Sequence, residues 1–327
     1  MRILICDYAN VMESDYSLTI QKIKEQIPDA VFQIESYTND TDLYRMADAA
    51  DGMITAFLPL NQQFFEHVHH LKCVSINAVG YGNVDLAAAS RNNVAVCHIK
   101  EYCTQEVAEH TFALIEALNR NLKYYNKRIE QDYEWKYHTI SGGRPLSGQT
   151  LAIFGLGRIG KRVAELAKAF GMKVIAVDPY ISPELAKRFG VKMVSAKEAF
   201  AEADVISNHM NLTDQNYHLF GVDAFEAMKR RPIFINVGRG ACMDENALAI
   251  ALDQNLVRAA GLDVLEDEEP ALQGHPLLNR DNVLITPHSA FYSESSMEKL
   301  QTISADNLAN YLMGNMGRIK ELLNMNY

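Results

Sequence analysis

Four stretches of the chain hold side chains whose types and spacing could do chemistry together, and each follows a short apolar run. Leu151-Ala-Ile-Phe154 leads into Gly155-Leu156-Gly157-Arg158-Ile159-Gly160, and a helical pattern from Lys161 to Phe170 comes next. In that setting Gly155 permits a tight strand-to-helix turn. Gly157 lets the backbone approach a pyrophosphate, and Gly160 lets the helix pack closely on the strand. The helix start offers N–H groups and a positive dipole end to phosphate oxygens. The next apolar run, Val174 to Val177, ends in Asp178, which lies 18 residues past Gly160. An acid there can accept hydrogen bonds from both hydroxyls of an adenosine ribose and repels a 2′-phosphate, so NAD is expected over NADP.

The other three stretches supply an Arg, an acidic run and a His. Ile235-Asn-Val-Gly-Arg239-Gly240 ends a strand in an arginine. A guanidinium can hold a carboxylate with two parallel hydrogen bonds, polarise a neighbouring carbonyl and stay charged. On the local pattern alone, Arg239 could equally be half of a surface salt bridge. Gly261-Leu-Asp263 ends another strand and runs into Glu266-Asp-Glu268-Glu269-Pro270. The Asp263 side chain is expected to face the nicotinamide side of a cleft, while the acidic run alone would be an ordinary solvated loop. Val283-Leu-Ile-Thr286-Pro-His288 places a histidine after a strand and a proline. Hydride transfer to a carbonyl leaves an alkoxide that needs a proton, and an imidazole that titrates near neutrality can give it and take it back. A carboxylate beside it would fix its tautomer. The other nine histidines read as surface or structural residues, with His110 and His209 the least settled among them.

These groups must be positioned by a scaffold, and the bulk sequence bounds its kind. The chain has 327 residues, enough for two domains with buried cores, and a formal net charge of -10. No lysine or arginine run forms a basic patch, so neither a nucleic acid nor an anionic membrane surface is expected as a partner. No apolar stretch approaches a membrane span. The start, Met-Arg-Ile-Leu-Ile-Cys-Asp, reads as a strand and not as a signal peptide. The five cysteines, Cys6, Cys73, Cys97, Cys103 and Cys242, show neither a disulfide framework nor metal-ligand spacing and read as reduced, buried thiols of a cytoplasmic protein.

Apolar β-branched runs alternate with amphipathic stretches from end to end. Strands are expected near 2–7, 31–37, 52–55, 73–77 and 94–99, with helices around 17–26 and 84–91. One long helix is expected over 104–128, followed by a loop carrying Trp135. A second series of six strands is expected near 150–154, 173–177, 204–208, 232–237, 258–263 and 282–286, closed by a helix near 293–313 and a short polar tail. Such alternation means parallel β-α-β units in doubly wound sheets.

Taken together, these stretches, with Asn77-Ala-Val-Gly-Tyr-Gly-Asn-Val-Asp85 and Val107-Ala-Glu-His-Thr111, resemble the D-isomer-specific 2-hydroxyacid dehydrogenase family over nearly the whole chain. The resemblance implies an α/β fold of two doubly wound parallel-sheet domains. A Rossmann NAD-binding domain, 101–292, would be inserted into a flavodoxin-like substrate domain made of 1–100 and 293–327, with the cleft at their junction. It also implies NAD as cofactor, Arg239 as the carboxylate-binding residue and His288 as the acid/base. The acid paired with that histidine, counted from Asp263, is Glu268. The family has proline directly after this Glu, whereas Glu269 intervenes here, so both remain candidates and the ungapped spacing favours Glu268. Cofactor contacts implied are Gly155, Gly157, Arg158, Ile159, Gly160, Asp178, Met210, Asn216, Val237, Gly238, Arg239 and Asp263. Substrate contacts implied are Val79, Gly80, Tyr102, Arg239, His288 and Tyr292. The family's usual state implies a homodimer, built from the 104–128 helix and the Trp135 loop.

The ending Thr286-Pro-His-Ser-Ala-Phe-Tyr292 resembles the D-lactate and D-2-hydroxyisocaproate branch, which points to pyruvate or a branched or aromatic 2-keto acid. Phe57 and Ala56 are candidates for the side-chain pocket. Two alternatives remain: a phosphoglycerate dehydrogenase-like enzyme, and an NAD(H)-sensing interaction protein similar to the C-terminal binding protein corepressors.

Overall fold

The computed structural model describes residues 1–324, so the last three residues of the expected 293–327 segment lie outside the described residues. The chain forms two compact units, Met1–Tyr102 together with the segment from Ser293 on, and Cys103–Tyr292. Each is an α/β unit with a purely parallel sheet.

In the first unit, β1 (Arg2–Asp7), β2 (Val31–Ser36), β3 (Gly52–Thr55), β4 (Cys73–Ile76) and β5 (Ala95–Cys97) lie in the order β2-β1-β3-β4-β5. This is the flavodoxin-like order. Side chains alternate between faces along each strand, and both faces are apolar. Leu4, Cys6, Met53, Val74 and Val96 enter one core cluster, while Ile3, Ile5, Ile54, Cys73 and Cys97 enter the other. The helix Glu294–Leu312 closes the second face, with Ala305, Leu308 and Ala309 in that cluster. The polar tail beyond it is not loose: Leu322 bridges Cys97, and Asn324 exchanges hydrogen bonds with Val94 and Val96.

In the second unit, β6 (Thr150–Phe154), β7 (Lys173–Val177), β8 (Lys192–Met193), β9 (Val205–Asn208), β10 (Ile233–Asn236), β11 (Ala259–Leu262) and β12 (Val283–Ile285) lie in the order β12-β11-β10-β9-β6-β7-β8. Six strands are expected from the sequence and seven are found. The extra one, β8, is a two-residue edge strand, too short to leave a periodic pattern. Phe154, Phe200, Phe220, Phe225 and Phe234 interlock edge-to-face and stacked on one side of the sheet. The direction of winding reverses between β6 and β9. Ligands of open parallel sheets bind at such a reversal, outside the strands' carboxyl ends.

The single helix expected over 104–128 is two helices, Thr104–Asn119 and Leu122–Asp132, because Asn121 adopts a left-handed φ of 54°. Asparagine tolerates that conformation better than most residues. The 140s loop packs into the break. Asn119 Nδ2 donates to the Arg144 carbonyl and Asn121 Nδ2 to that of Ser141, while a Cβ on Gly143 would lie 1.8 Å from the Asn119 oxygen. All five cysteines are buried and none is in a disulfide. No helix among the described residues is long and apolar enough to cross a membrane.

Candidate active site

The glycine turn lies where the winding reverses, and its three glycines do different work. Gly155 adopts φ +89°, and a Cβ there would come within 2.9 Å of the His209 and Met210 backbone after β9. A Cβ on Gly160 would sit 2.2 Å from the Gly155 oxygen. At Gly157, by contrast, a Cβ would meet nothing within 4 Å. Two glycines therefore serve close internal packing, and the third faces open space at the start of the helix Arg158–Ala169. No side chain caps that helix, which leaves its first N–H groups suited to phosphate oxygens. Asp178, directly after β7, accepts from Leu156 N at 2.7 Å through Oδ2 and from Tyr180 N at 2.8 Å through Oδ1. Each carboxylate oxygen keeps a further lone pair for a ribose hydroxyl. The residues present fit a dinucleotide.

The loop after β10 presents the arginine. Buried Asn236 shapes it: Oδ1 accepts from Gly238 N at 3.1 Å and from Asn208 Nδ2 at 3.0 Å, and Nδ2 donates to the Arg239 carbonyl at 3.1 Å. Gly240 must be glycine, since a Cβ would lie 1.7 Å from the Leu265 oxygen. That contact seats the arginine loop against the acidic loop. Arg239 itself is half-buried and donates to the Gly238 carbonyl at 2.8 Å. Among the described residues no carboxylate pairs with it, so the salt-bridge alternative is not met.

The acidic loop and the histidine meet. Glu268 Oε2 lies 2.7 Å from His288 Nδ1, which selects Glu268 over Glu269 as the partner. Burial pushes the Glu268 carboxyl up. The hydrogen bond from His288, the charge of His288 and the charge of Arg239 together outweigh that and hold it below its ordinary value. The guanidinium, carboxylate and imidazole thus share one electrostatic neighbourhood. Nδ1 of His288 is thereby committed to Glu268. His288 has a left-handed φ of 48°, an unusual backbone for a residue with a Cβ.

The other expected residues take these places. Asp263 is buried, 1% exposed. Its carboxylate accepts from Thr286 Oγ1 at 2.5 Å, Ser289 N at 2.9 Å and Ala290 N at 2.9 Å. A buried carboxylate needs such donors, and the loop carrying His288 supplies them. Asn216 uses both ends of its amide inside its own loop, accepting from Thr213 N and donating to the Asn211 carbonyl. Tyr292 is 69% exposed, and the ring beside His288 is Phe291, edge-on with centroids 6.2 Å apart. Val237 and Gly238 are buried under Asn208 and Met210. Val79, Gly80 and Tyr102 belong to the first unit; the Val79 carbonyl accepts from His98 Nδ1 at 3.0 Å, and Tyr102 is buried.

Sequence reading gave no role to His209. It follows β9 against Gly155, its Nε2 lies 2.8 Å from Ser207 Oγ, and its Nδ1 is buried without a hydrogen-bond partner. Burial pushes its pKa down to about 3, so the ring stays neutral. Its setting between two strand ends was the one available signal.

Comparison with known proteins gives the family. The family described as D-isomer specific 2-hydroxyacid dehydrogenase, NAD binding domain, matches residues 112–290. The chain is similar to glyoxylate reductase of Aeropyrum pernix, 34% identical over 275 residues that cover 83% of this chain and 81% of the relative. It is also similar to D-3-phosphoglycerate dehydrogenase of Methanocaldococcus jannaschii, 34% identical over 280 residues; that match covers 85% of this chain but about half, 53%, of the relative's length. Among solved structures, D-lactate dehydrogenase from Aquifex aeolicus, complexed with NAD and lactic acid, superposes with a TM-score of 0.85 at 27% identity, covering 99% of this chain and 100% of that one. The chain therefore belongs to the D-isomer-specific 2-hydroxyacid dehydrogenase family and carries its NAD-binding domain.

Proposed function

We propose that this protein is an NAD-dependent oxidoreductase that interconverts a small 2-keto acid and its D-2-hydroxy acid. The observation that carries the reading is the His288–Glu268 pair at 2.7 Å, with Arg239 close enough to depress the same carboxyl. Arg239 binds the substrate carboxylate and polarises the adjacent carbonyl. The bound cofactor supplies the hydride to that carbon. His288, protonated, donates its Nε2 proton to the developing alkoxide and becomes neutral; in oxidation it takes the hydroxyl proton back. Glu268, held ionised, keeps the ring's tautomer and orientation and stabilises its charged form. Gly157, Arg158, Ile159 and Asp178 are assigned to the dinucleotide. Met210, Val237 and Gly238 would line the nicotinamide end of the bound dinucleotide, and Val79, Gly80 and Tyr102 are assigned to the substrate.

Within this reading we place the substrate among short acids of the pyruvate type. The Thr286–Tyr292 segment supports the D-lactate branch, while the relatives named glyoxylate reductase support an even smaller acid. A homodimer fits the exposed aromatics that follow the second long helix, Tyr133, Trp135 and Tyr137, which are 90%, 87% and 84% exposed. The test is NADH oxidation with glyoxylate, pyruvate, 2-ketoisocaproate, phenylpyruvate and phosphohydroxypyruvate, followed by chiral analysis of the product. Saturable turnover of one of the first four is expected, to the D isomer for the three whose products are chiral and to achiral glycolate for glyoxylate. Tight NADH binding without turnover of any acid would overturn the reading in favour of a nucleotide sensor.

A further inference from the structure

We infer that His110 is a positioning residue for the reaction, acting on His288 through Thr286 and Asp263. The inference rests on the reading of His288 as the acid/base. His110 lies in the helix Thr104–Asn119, far from the site in sequence, and its Nε2 is 3.0 Å from Thr286 Oγ1 and 3.6 Å from Asp263 Oδ1. The Thr286 hydroxyl has one proton, and it goes to Asp263 Oδ1. The bond between His110 and Thr286 must therefore be donated by His110 Nε2–H into the hydroxyl's lone pair. This fixes the direction of a chain from His110 to Thr286 to Asp263.

The chain ends on the backbone that carries His288. The Asp263 carboxylate accepts from Ser289 N and Ala290 N, and the Asp263 carbonyl accepts from His288 N at 2.8 Å. Residues 286, 288, 289 and 290 are thus all tied to Asp263, around a His288 held at φ 48°. Such a conformation persists only when its surroundings determine it. His110 contributes a donor that orients Thr286, and so orients the carboxylate that grips the loop. Without it, the Thr286 hydroxyl is held only by its own bond to Asp263, and the His288–Glu268 geometry slackens.

The test compares His110→Phe, which keeps bulk and removes the donor, with His110→Gln, whose amide nitrogen can replace Nε2–H. Thr286→Val and the Phe/Val double variant complete the set, with His288→Gln as reference. The readouts are kcat and KM for pyruvate, and NADH affinity by fluorescence titration. We expect His110→Phe to lower kcat by about 10- to 100-fold, with NADH affinity little changed. His110→Gln should restore most of the loss. The double variant should be no worse than the worse single one, since both changes break one chain. A kcat for His110→Phe equal to wild type, a Gln variant as impaired as the Phe variant, or losses that multiply would each overturn the role of His110. Were His288→Gln to keep wild-type turnover, the reading of His288 would fall, and this inference with it.

Discussion

Each unit has an almost fully buried aspartate at the carboxyl end of a parallel strand, and the two do the same mechanical work on loops of different content. In the first unit Asp7 ends β1 and is 2% exposed; it accepts from Tyr8 N, Thr55 Oγ1, Ala56 N and Phe57 N. In the second, Asp263 follows β11 at 1% exposure and accepts from Thr286 Oγ1, Ser289 N and Ala290 N. Both gather a threonine hydroxyl and successive backbone N–H groups, so a neighbouring loop has one conformation. The loop at Asp7 carries Ala56 and Phe57, apolar groups suited to shaping a wall. The loop at Asp263 carries an imidazole that a glutamate holds within 2.7 Å. A recurrent device of parallel sheets thus becomes chemical only through the side chain mounted on the loop.

The sharpest way to break this contrast is to disturb the second unit's mounting directly. Gly240→Ala drives a Cβ into the Leu265 carbonyl and displaces the arginine loop; we expect kcat/KM for pyruvate to fall by about 100-fold or more. Asp263→Asn should lower kcat by about 10- to 100-fold, because an amide cannot accept from every donor the carboxylate serves. Asp7→Asn should cost about 1–3 kcal/mol of stability in urea unfolding while NADH affinity stays unchanged.

Acid sensitivity separates the units next. His209 has its pKa depressed from 6.5 to about 3 by burial. Between those values the unfolded chain binds a proton that the native one refuses, so stability falls as pH falls, by at most about 1.4 kcal/mol per pH unit. His209→Gln should flatten that slope. Burial raises Asp7, with its backbone and Thr55 hydrogen bonds only partly opposing it. There the unfolded chain loses its proton first, so the group's contribution falls as pH rises from 3.8 toward its raised value. Asp7→Asn should remove this opposite trend, and urea midpoints across the acid range measure both. The smallest effect concerns the cofactor: Asp178→Ser should narrow the preference for NADH over NADPH by roughly 10-fold, read from the ratio of kcat/KM values.

Local patterns carried much of this to the reader of the sequence. The strands and the three glycines each announce themselves within a few residues, because a strand or a tight turn needs those residue types locally; the Arg–Glu–His triplet was legible as a unit only through the family resemblance. What the sequence did not reveal depends on distant contacts. The two-residue β8 leaves no period, and the helix break at Asn121 depends on the 140s loop packing against it. Asp263 turns inward because residues 286–290 supply its donors, and Glu268 was separable from Glu269 only once His288 was in place. His110 and Thr286 are 176 residues apart, a pairing no window of sequence shows.

The most direct test of the central claim is a single-turnover measurement of pyruvate reduction by preformed enzyme–NADH complex, wild type against His288→Gln. A loss of about 100-fold or more in the rate of NADH oxidation, with NADH affinity preserved, is the predicted result. A His288→Gln enzyme that oxidises NADH at the wild-type rate would contradict the account.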